Sequence, residues 1–126
     1  MSAYLLPSAA MVEAIHDAVL NLGELAGRAR DKSLEGALAR VENRLAYGLV
    51  EDVVGLAAAY AMAIAQGHCF NDANKRTAYR VLIVVLDMNG APVPVMAEDI
   101  IGQKIIALAQ GKIDDGALAD WLRERT

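Results

Sequence analysis

Residues 53–66 carry apolar side chains on nearly every side of a helix, and no other segment constrains the fold of this 126-residue chain as strongly. The apolar residues are Val53, Val54, Leu56, Ala57, Tyr60, Ala61 and Ile64. Such a helix is normally buried at the centre of a bundle, because every face must pack against another element. Glu51 and Asp52 favour a helix start, and Gly67 is a natural stop. We therefore expect a central helix that ends at about Gln66.

Five further segments have apolar residues at helical spacing, and they predict an all-α bundle of about six helices in a single domain over residues 1–126. They run from Ser8 to Leu22, from Ser33 to near Gly48, from about Ala73 to Met88, from about Ala97 to Gln110, and from Asp114 or Asp115 to Arg125. The run Val81–Leu86 has strand propensity, but the length of its segment and the Asn89-Gly90 stop favour a helix. Prolines make Ala91–Pro94 extended.

Composition and net charge limit which binding partners and which cellular compartment are expected. The formal net charge of -4 lacks the excess of Lys and Arg that nucleic-acid binding requires. The apolar run Val53–Ala65 is too short to span a bilayer. Met1–Ala10 has no basic segment of a signal peptide, and Cys69 as the one cysteine suits a reducing compartment. We expect a cytoplasmic protein with neither nucleic-acid nor membrane partners.

The polar loop of residues 67–77 joins the third and fourth expected helices and carries the chemistry. If the fourth helix begins near Ala73, the backbone N–H groups of Asn74, Lys75 and Arg76 are free to bind an anion. The side chains of Lys75 and Arg76 oppose the helix dipole at this end, a conflict that a bound polyphosphate would relieve. The loop therefore predicts a phosphate site.

Three other residues of the loop complete a reaction centre. His68 could accept a proton from an attacking hydroxyl, since an imidazole titrates near neutral pH. Asp72 could cap the fourth helix or hold Mg²⁺. Phe70 is expected to enter the core and pin the loop. His16, near the apolar stripe of the first helix, is expected to pack there or lie at the surface. Together the loop residues indicate phosphoryl or nucleotidyl transfer.

The loop resembles the Fic/Doc signature, His-x-Phe-x-(Asp/Glu)-(Ala/Gly)-Asn-(Lys/Gly)-Arg. The positions that match are His68, Phe70, Asp72, Ala73, Asn74, Lys75 and Arg76. The chain is most similar to the Doc, or death-on-curing, branch of the superfamily, which supplies toxins of addiction modules. The likeness extends from the first expected helix to Gly90.

The resemblance implies a kinase that moves the ATP γ-phosphate to a threonine of elongation factor Tu and arrests translation. It makes His68 the base and Asp72 the support for Mg²⁺. It assigns phosphate binding to Asn74, Lys75 and Arg76. It also implies a Phd-type antitoxin whose C-terminal helix fills an apolar groove on the toxin.

Two alternatives remain open at this point. Fic proteins with glycine in place of Lys75 usually transfer AMP to a protein hydroxyl, and a protein that only binds its antitoxin would act as a co-repressor.

The chain departs from the family at Tyr79, where many Fic proteins have a second arginine, although Arg80 follows. It also has Gln66 where Doc has a basic residue. The inhibitory-helix motif of some Fic proteins has only a near match, residues 31–36, where Asp31 replaces the hydroxyl residue.

Overall fold

Six α-helices account for the regular structure of residues 4–96 and 98–125, the parts of the chain that the computed structural model describes. They are α1 (Ala9–Val19), α2 (Leu34–Ala46), α3 (Val53–Gly67), α4 (Asn74–Met88), α5 (Glu98–Ala109) and α6 (Asp115–Arg123). The prediction of an all-α bundle with about six helices is confirmed. None of these helices is long and apolar enough to cross a bilayer.

The capping residues explain where the helices begin. The side chains of Ser8, Ser33, Asp52 and Asp114 each accept a hydrogen bond from a backbone N–H in the first turn that follows. The predicted end of α1 at Leu22 is wrong, because the chain becomes extended at Leu20 and the Leu22 side chain is fully exposed. Helix α6 likewise ends before the predicted Arg125. The predicted start of α5, Ala97, lies outside the described residues.

Helix α3 is the centre of the bundle, as its apolar faces predicted. It packs against α2, α4, α5 and α6. Most of its residues are buried, and its many alanines let the neighbouring helices approach closely. Its C-terminal end and the N-terminal end of α4 are joined by the short polar loop, so the buried helix pair holds both ends of that loop.

The segment of residues 20–33, which links α1 to α2, lies against this polar loop. The Ala29 N–H donates to the Cys69 carbonyl at 2.8 Å, and the Asn71 N–H donates to the Gly27 carbonyl at 3.2 Å. The Asn71 side chain donates to the same stretch, at the Ala26 carbonyl. These bonds fix the α1–α2 segment beside the residues that the sequence marked for chemistry.

Candidate functional site

Two residues of the polar loop adopt the left-handed backbone conformation. His68, which ends α3, has φ 50° and ψ 40°, and Ala73, which precedes α4, has φ 65° and ψ 27°. A side chain disfavours this conformation, so the surrounding contacts must hold it in place. His68 is exposed and its side chain has no hydrogen-bond partner among the described residues. Its imidazole is therefore available to a substrate.

Two hydrogen bonds between Phe70 and Asn74 stabilise the loop. The Phe70 N–H donates to Asn74 Oδ1 at 3.1 Å, and Asn74 Nδ2 donates to the Phe70 carbonyl at 2.9 Å. The Phe70 ring is buried at 3% exposure. These bonds occupy the Asn74 carboxamide, which leaves its backbone N–H as the group best placed to meet an anion.

His16 supports the loop from α1. Its buried ring stacks on the Phe70 ring with centroids 3.9 Å apart and an angle of 7° between the planes. Its Nε2 lies 2.8 Å from the Asp72 carbonyl, which can only accept, so Nε2 carries a proton, and its Nδ1 lies 3.3 Å from Asp17 Oδ1. The sequence placed His16 near an apolar stripe but gave no sign that it reaches a loop 56 residues away.

The first turn of α4 presents three free backbone donors. Ala73 makes no side-chain cap, and the first backbone bond in this turn runs from the Thr77 N–H to the Ala73 carbonyl at 2.9 Å. Within the described residues, the N–H groups of Asn74, Lys75 and Arg76 have no acceptor. Free donors at the positive end of a helix dipole favour an anion, so this turn is the candidate anion site. Lys75 adds an exposed ammonium without an ion pair among the described residues.

Arg76 has a protein partner that the sequence did not reveal. Its Nη1 and Nη2 donate to the two carboxylate oxygens of Glu24 at 2.8 and 2.6 Å, and Nη1 also donates to the Val19 carbonyl at 2.6 Å. The interpretation that a polyphosphate is needed to balance this cation is therefore wrong for Arg76. The guanidinium retains Nε–H and one Nη2 hydrogen for a ligand.

The Arg76 guanidinium lowers the pKa of Glu24 to about 2, with help from the Asn21 N–H. In turn, the hydrogen bonds to Glu24 raise the pKa of Arg76 above its usual value. Both groups are therefore charged at neutral pH, and the pair lies at the N-terminal turn of α4. No local pattern marks Glu24, because its partner lies in α4, 52 residues further along the chain.

Asp72 does not cap α4, so that expectation is wrong. Its Oδ2 accepts from the Leu25 N–H at 2.8 Å, which ties the α1–α2 segment to the loop. Its Oδ1 accepts no hydrogen bond from the described residues. Residues 4–96 and 98–125 contain no group of three or more His, Cys, Asp or Glu side chains that could hold a metal. A cation here would have to share Asp72 with oxygens of a ligand, which is how Mg²⁺ usually binds with phosphates.

A groove of about 450 Å³ opens beside the anion site, between α4 and α5. It is lined by Ala73, Asn74, Lys75, Arg76, Tyr79, Glu98, Asp99, Gly102, Gln103, Ile105 and Ile106. Tyr79, one departure from the family pattern, lines this groove, and the exposed Arg80 has its guanidinium 5.9 Å from the centroid of the Tyr79 ring. Gln66, the other departure, lies outside the groove and donates to the Leu108 carbonyl at 2.9 Å.

A helical bundle that presents a histidine and a helix N-terminal anion site in one loop is the arrangement of a known family. The model of the Fic/DOC family matches residues 6–86, and the chain belongs to this family. Among its relatives is a protein of Escherichia phage P1 named "Protein kinase doc". The two sequences are 38% identical over 114 residues, which cover 87% of this chain and 86% of the phage protein.

Proposed function

We propose that this protein is the toxin of a toxin–antitoxin module and a kinase that transfers the ATP γ-phosphate to a threonine of elongation factor Tu, which arrests translation. The observation that carries the proposal is the set of free N–H groups at Asn74, Lys75 and Arg76, in the same loop as the exposed His68. The kinase name of the phage P1 relative supports the same reaction.

His68 acts as the general base. Its imidazole takes the proton of the threonine hydroxyl while the hydroxyl oxygen attacks the γ-phosphorus. The bond from that phosphorus to the β,γ-bridging oxygen breaks, and ADP leaves with the electron pair. The left-handed backbone at His68 sets the side chain at the exposed end of α3, where a protein substrate can reach it.

The first turn of α4 stabilises the transferring phosphoryl group. The free N–H groups donate to phosphate oxygens, and the Lys75 ammonium offsets their charge. Arg76 contributes the donors that Glu24 leaves free. Asp72 Oδ1 would hold Mg²⁺, which supplies charge neutralisation between the phosphates when it is bound.

We assign inhibition of the toxin to a Phd-type antitoxin whose C-terminal helix fills an apolar groove. Apolar side chains exposed to solvent offer such a partner a place to bind. The most exposed of them are Leu5, Leu22, Leu25, Tyr47, Leu49 and Val95.

The proposal is tested by mixing the protein with Mg²⁺, elongation factor Tu and ATP labelled on the γ- or the α-phosphate. We expect label only from the γ position, and none with His68→Ala. Lys112→Ala, in the exposed turn after α5, is the control that keeps activity. Transfer from the α position would make the protein an AMP transferase. Transfer from neither would leave antitoxin binding as its role, and both results contradict the kinase proposal.

A further inference from the structure

His16 is buried on α1 and takes no part in the proposed reaction, yet it contacts the polar loop in two ways. Its ring stacks on the Phe70 ring, and its Nε2–H donates to the Asp72 carbonyl at 2.8 Å. An apolar ring of similar size could make the stack without the cost of burying polar atoms. The hydrogen bond therefore indicates that the imidazole has a role in placing the Asp72 carbonyl.

The peptide group that joins Asp72 to Ala73 is held in an unfavourable orientation. Ala73 has φ 65° and ψ 27°, a conformation in which its Cβ atom is crowded by the backbone. The same peptide group can turn over, as it does between type II and type I turns, and the residue after it then has a negative φ. The turned orientation would relieve Ala73, so a specific contact must favour the observed one.

Neighbouring hydrogen bonds hold the chain on both sides of this peptide group. The buried Thr77 donates to the Ala73 carbonyl through its N–H at 2.9 Å and through its Oγ1 at 2.8 Å. Asp72 Oδ2 accepts from the Leu25 N–H. Among the described residues, the bond from His16 is the one hydrogen bond to the peptide group itself. It is therefore the contact that decides the orientation.

We infer that His16 is a positioning residue, which holds the Asp72–Ala73 peptide group in the orientation that phosphate binding at α4 requires. The inference rests on the proposed function, which assigns phosphate binding to the first turn of α4. The peptide group directly precedes the free N–H groups of that turn. Turning it over exchanges the sides of its carbonyl and its N–H, and so reverses one dipole beside the bound anion. His16 acts on the anion through the backbone and does not touch it.

The test measures the affinity for inorganic tripolyphosphate by calorimetry on the whole chain, at a temperature at which circular dichroism shows each variant to be folded. His16→Phe keeps the stack and loses the donor, so we expect binding to weaken by about tenfold, the factor that one hydrogen bond contributes. His16→Gln loses the stack, but its amide can donate to the same carbonyl, so its affinity should stay within about twofold of native. A role in packing alone predicts the opposite order.

Ala73→Gly provides a test that packing cannot imitate. Glycine adopts a positive φ without a Cβ penalty, so the observed orientation then depends less on the bond from His16. In the Ala73→Gly background, His16→Phe should therefore weaken tripolyphosphate binding by only about threefold or less, a coupling between the two positions. Ala39→Gly, at an exposed position on α2, is the matched control, and in its background the loss should remain about tenfold.

The backbone of Ala73 gives a direct readout. Its Cα and Cβ chemical shifts, recorded on protein with labelled alanine, depend on φ. We expect them to be the same in the native protein and His16→Gln, and to change in His16→Phe. If His16→Phe does not fold, His16→Leu takes its place, since leucine also lacks a donor.

Native affinity for tripolyphosphate in the folded variant without a donor would overturn the inference, and so would an equal loss in the Ala73→Gly and native backgrounds. The two proposals fail differently. If His16→Phe weakens tripolyphosphate binding but the native protein transfers no phosphate, the kinase proposal fails alone. If the native protein is a kinase and His16→Phe keeps its kcat and its KM for ATP, the positioning role fails alone. A native protein that does not bind tripolyphosphate would contradict both.

Discussion

Glu24 and Arg76 meet at the N-terminus of α4 in a two-pronged ion pair, with N–O distances of 2.8 and 2.6 Å. The pair joins the α1–α2 segment to the polar loop across 52 residues of sequence. The negative charge of Glu24 is attracted to the positive end of the helix dipole, whereas the positive charge of Arg76 alone would be repelled by it. The pair thus makes an unfavourably placed cation compatible with a stable fold.

Acid should weaken this pair in a defined range. The pKa of Glu24 falls from an ordinary 4.5 to about 2, so the folded state gains stability from the charged carboxylate above pH 4.5 and loses it as the pH drops toward 2. We expect Glu24→Gln to lower the unfolding midpoint at pH 7, and the difference from the native protein to shrink between pH 4.5 and 2. Thermal unfolding at a series of pH values measures this. Glu42→Gln, at an exposed position, is the control, and a pH-independent difference would contradict the expectation.

His16 offers a way to separate stacking from hydrogen bonding. His16→Phe can keep the stack on Phe70 but loses the donor to the Asp72 carbonyl, which should cost roughly 1–2 kcal/mol of the free energy of unfolding. His16→Ala loses both, and should cost roughly 2–4 kcal/mol because it also leaves a cavity. Denaturant unfolding compares the two variants. Equal stability of both would show that the stack contributes nothing.

Lys75 can be changed without breaking a contact of the fold. It is exposed and has no ion pair among the described residues, so Lys75→Gly removes a cation from the candidate anion site without breaking an ion pair. We expect γ-phosphate transfer to fall by roughly a hundredfold to a thousandfold, as when one charge-stabilising group is lost. The same assay with α-labelled ATP shows whether the variant gains AMP transfer. Undiminished γ-transfer would mean that the lysine does not contact the phosphates.

Tyr60 carries a polar atom that the core does not satisfy. It is fully buried on α3, its hydroxyl has no hydrogen-bond partner among the described residues, and burial raises its pKa to about 12. Tyr60→Phe removes the hydroxyl and keeps the ring, so we expect stability to rise by roughly 1 kcal/mol. Chemical denaturation of the two proteins provides the comparison. A clear loss of stability would show that the hydroxyl is bonded in solution.

The helices and their order follow from local patterns in the sequence. The apolar faces of residues 53–66 placed α3 at the centre, and serine or aspartate caps marked the starts of several helices, because caps and amphipathic spacing act over a few residues. The position of the polar loop between two apolar helices is equally local. So is the free N-terminal turn of α4, since every helix leaves its first N–H groups without partners.

Contacts between distant residues were decided by the tertiary structure alone. The sequence suggested Asp72 as a cap, but packing of the α1–α2 segment gives its carboxylate the Leu25 N–H instead. Packing also gives Arg76 its partner Glu24, and brings His16 under Phe70. The groove at Gly102 depends on how α5 lies against α4. Local spacing determines which residues form a helix, whereas partners in other helices are set by how the helices pack.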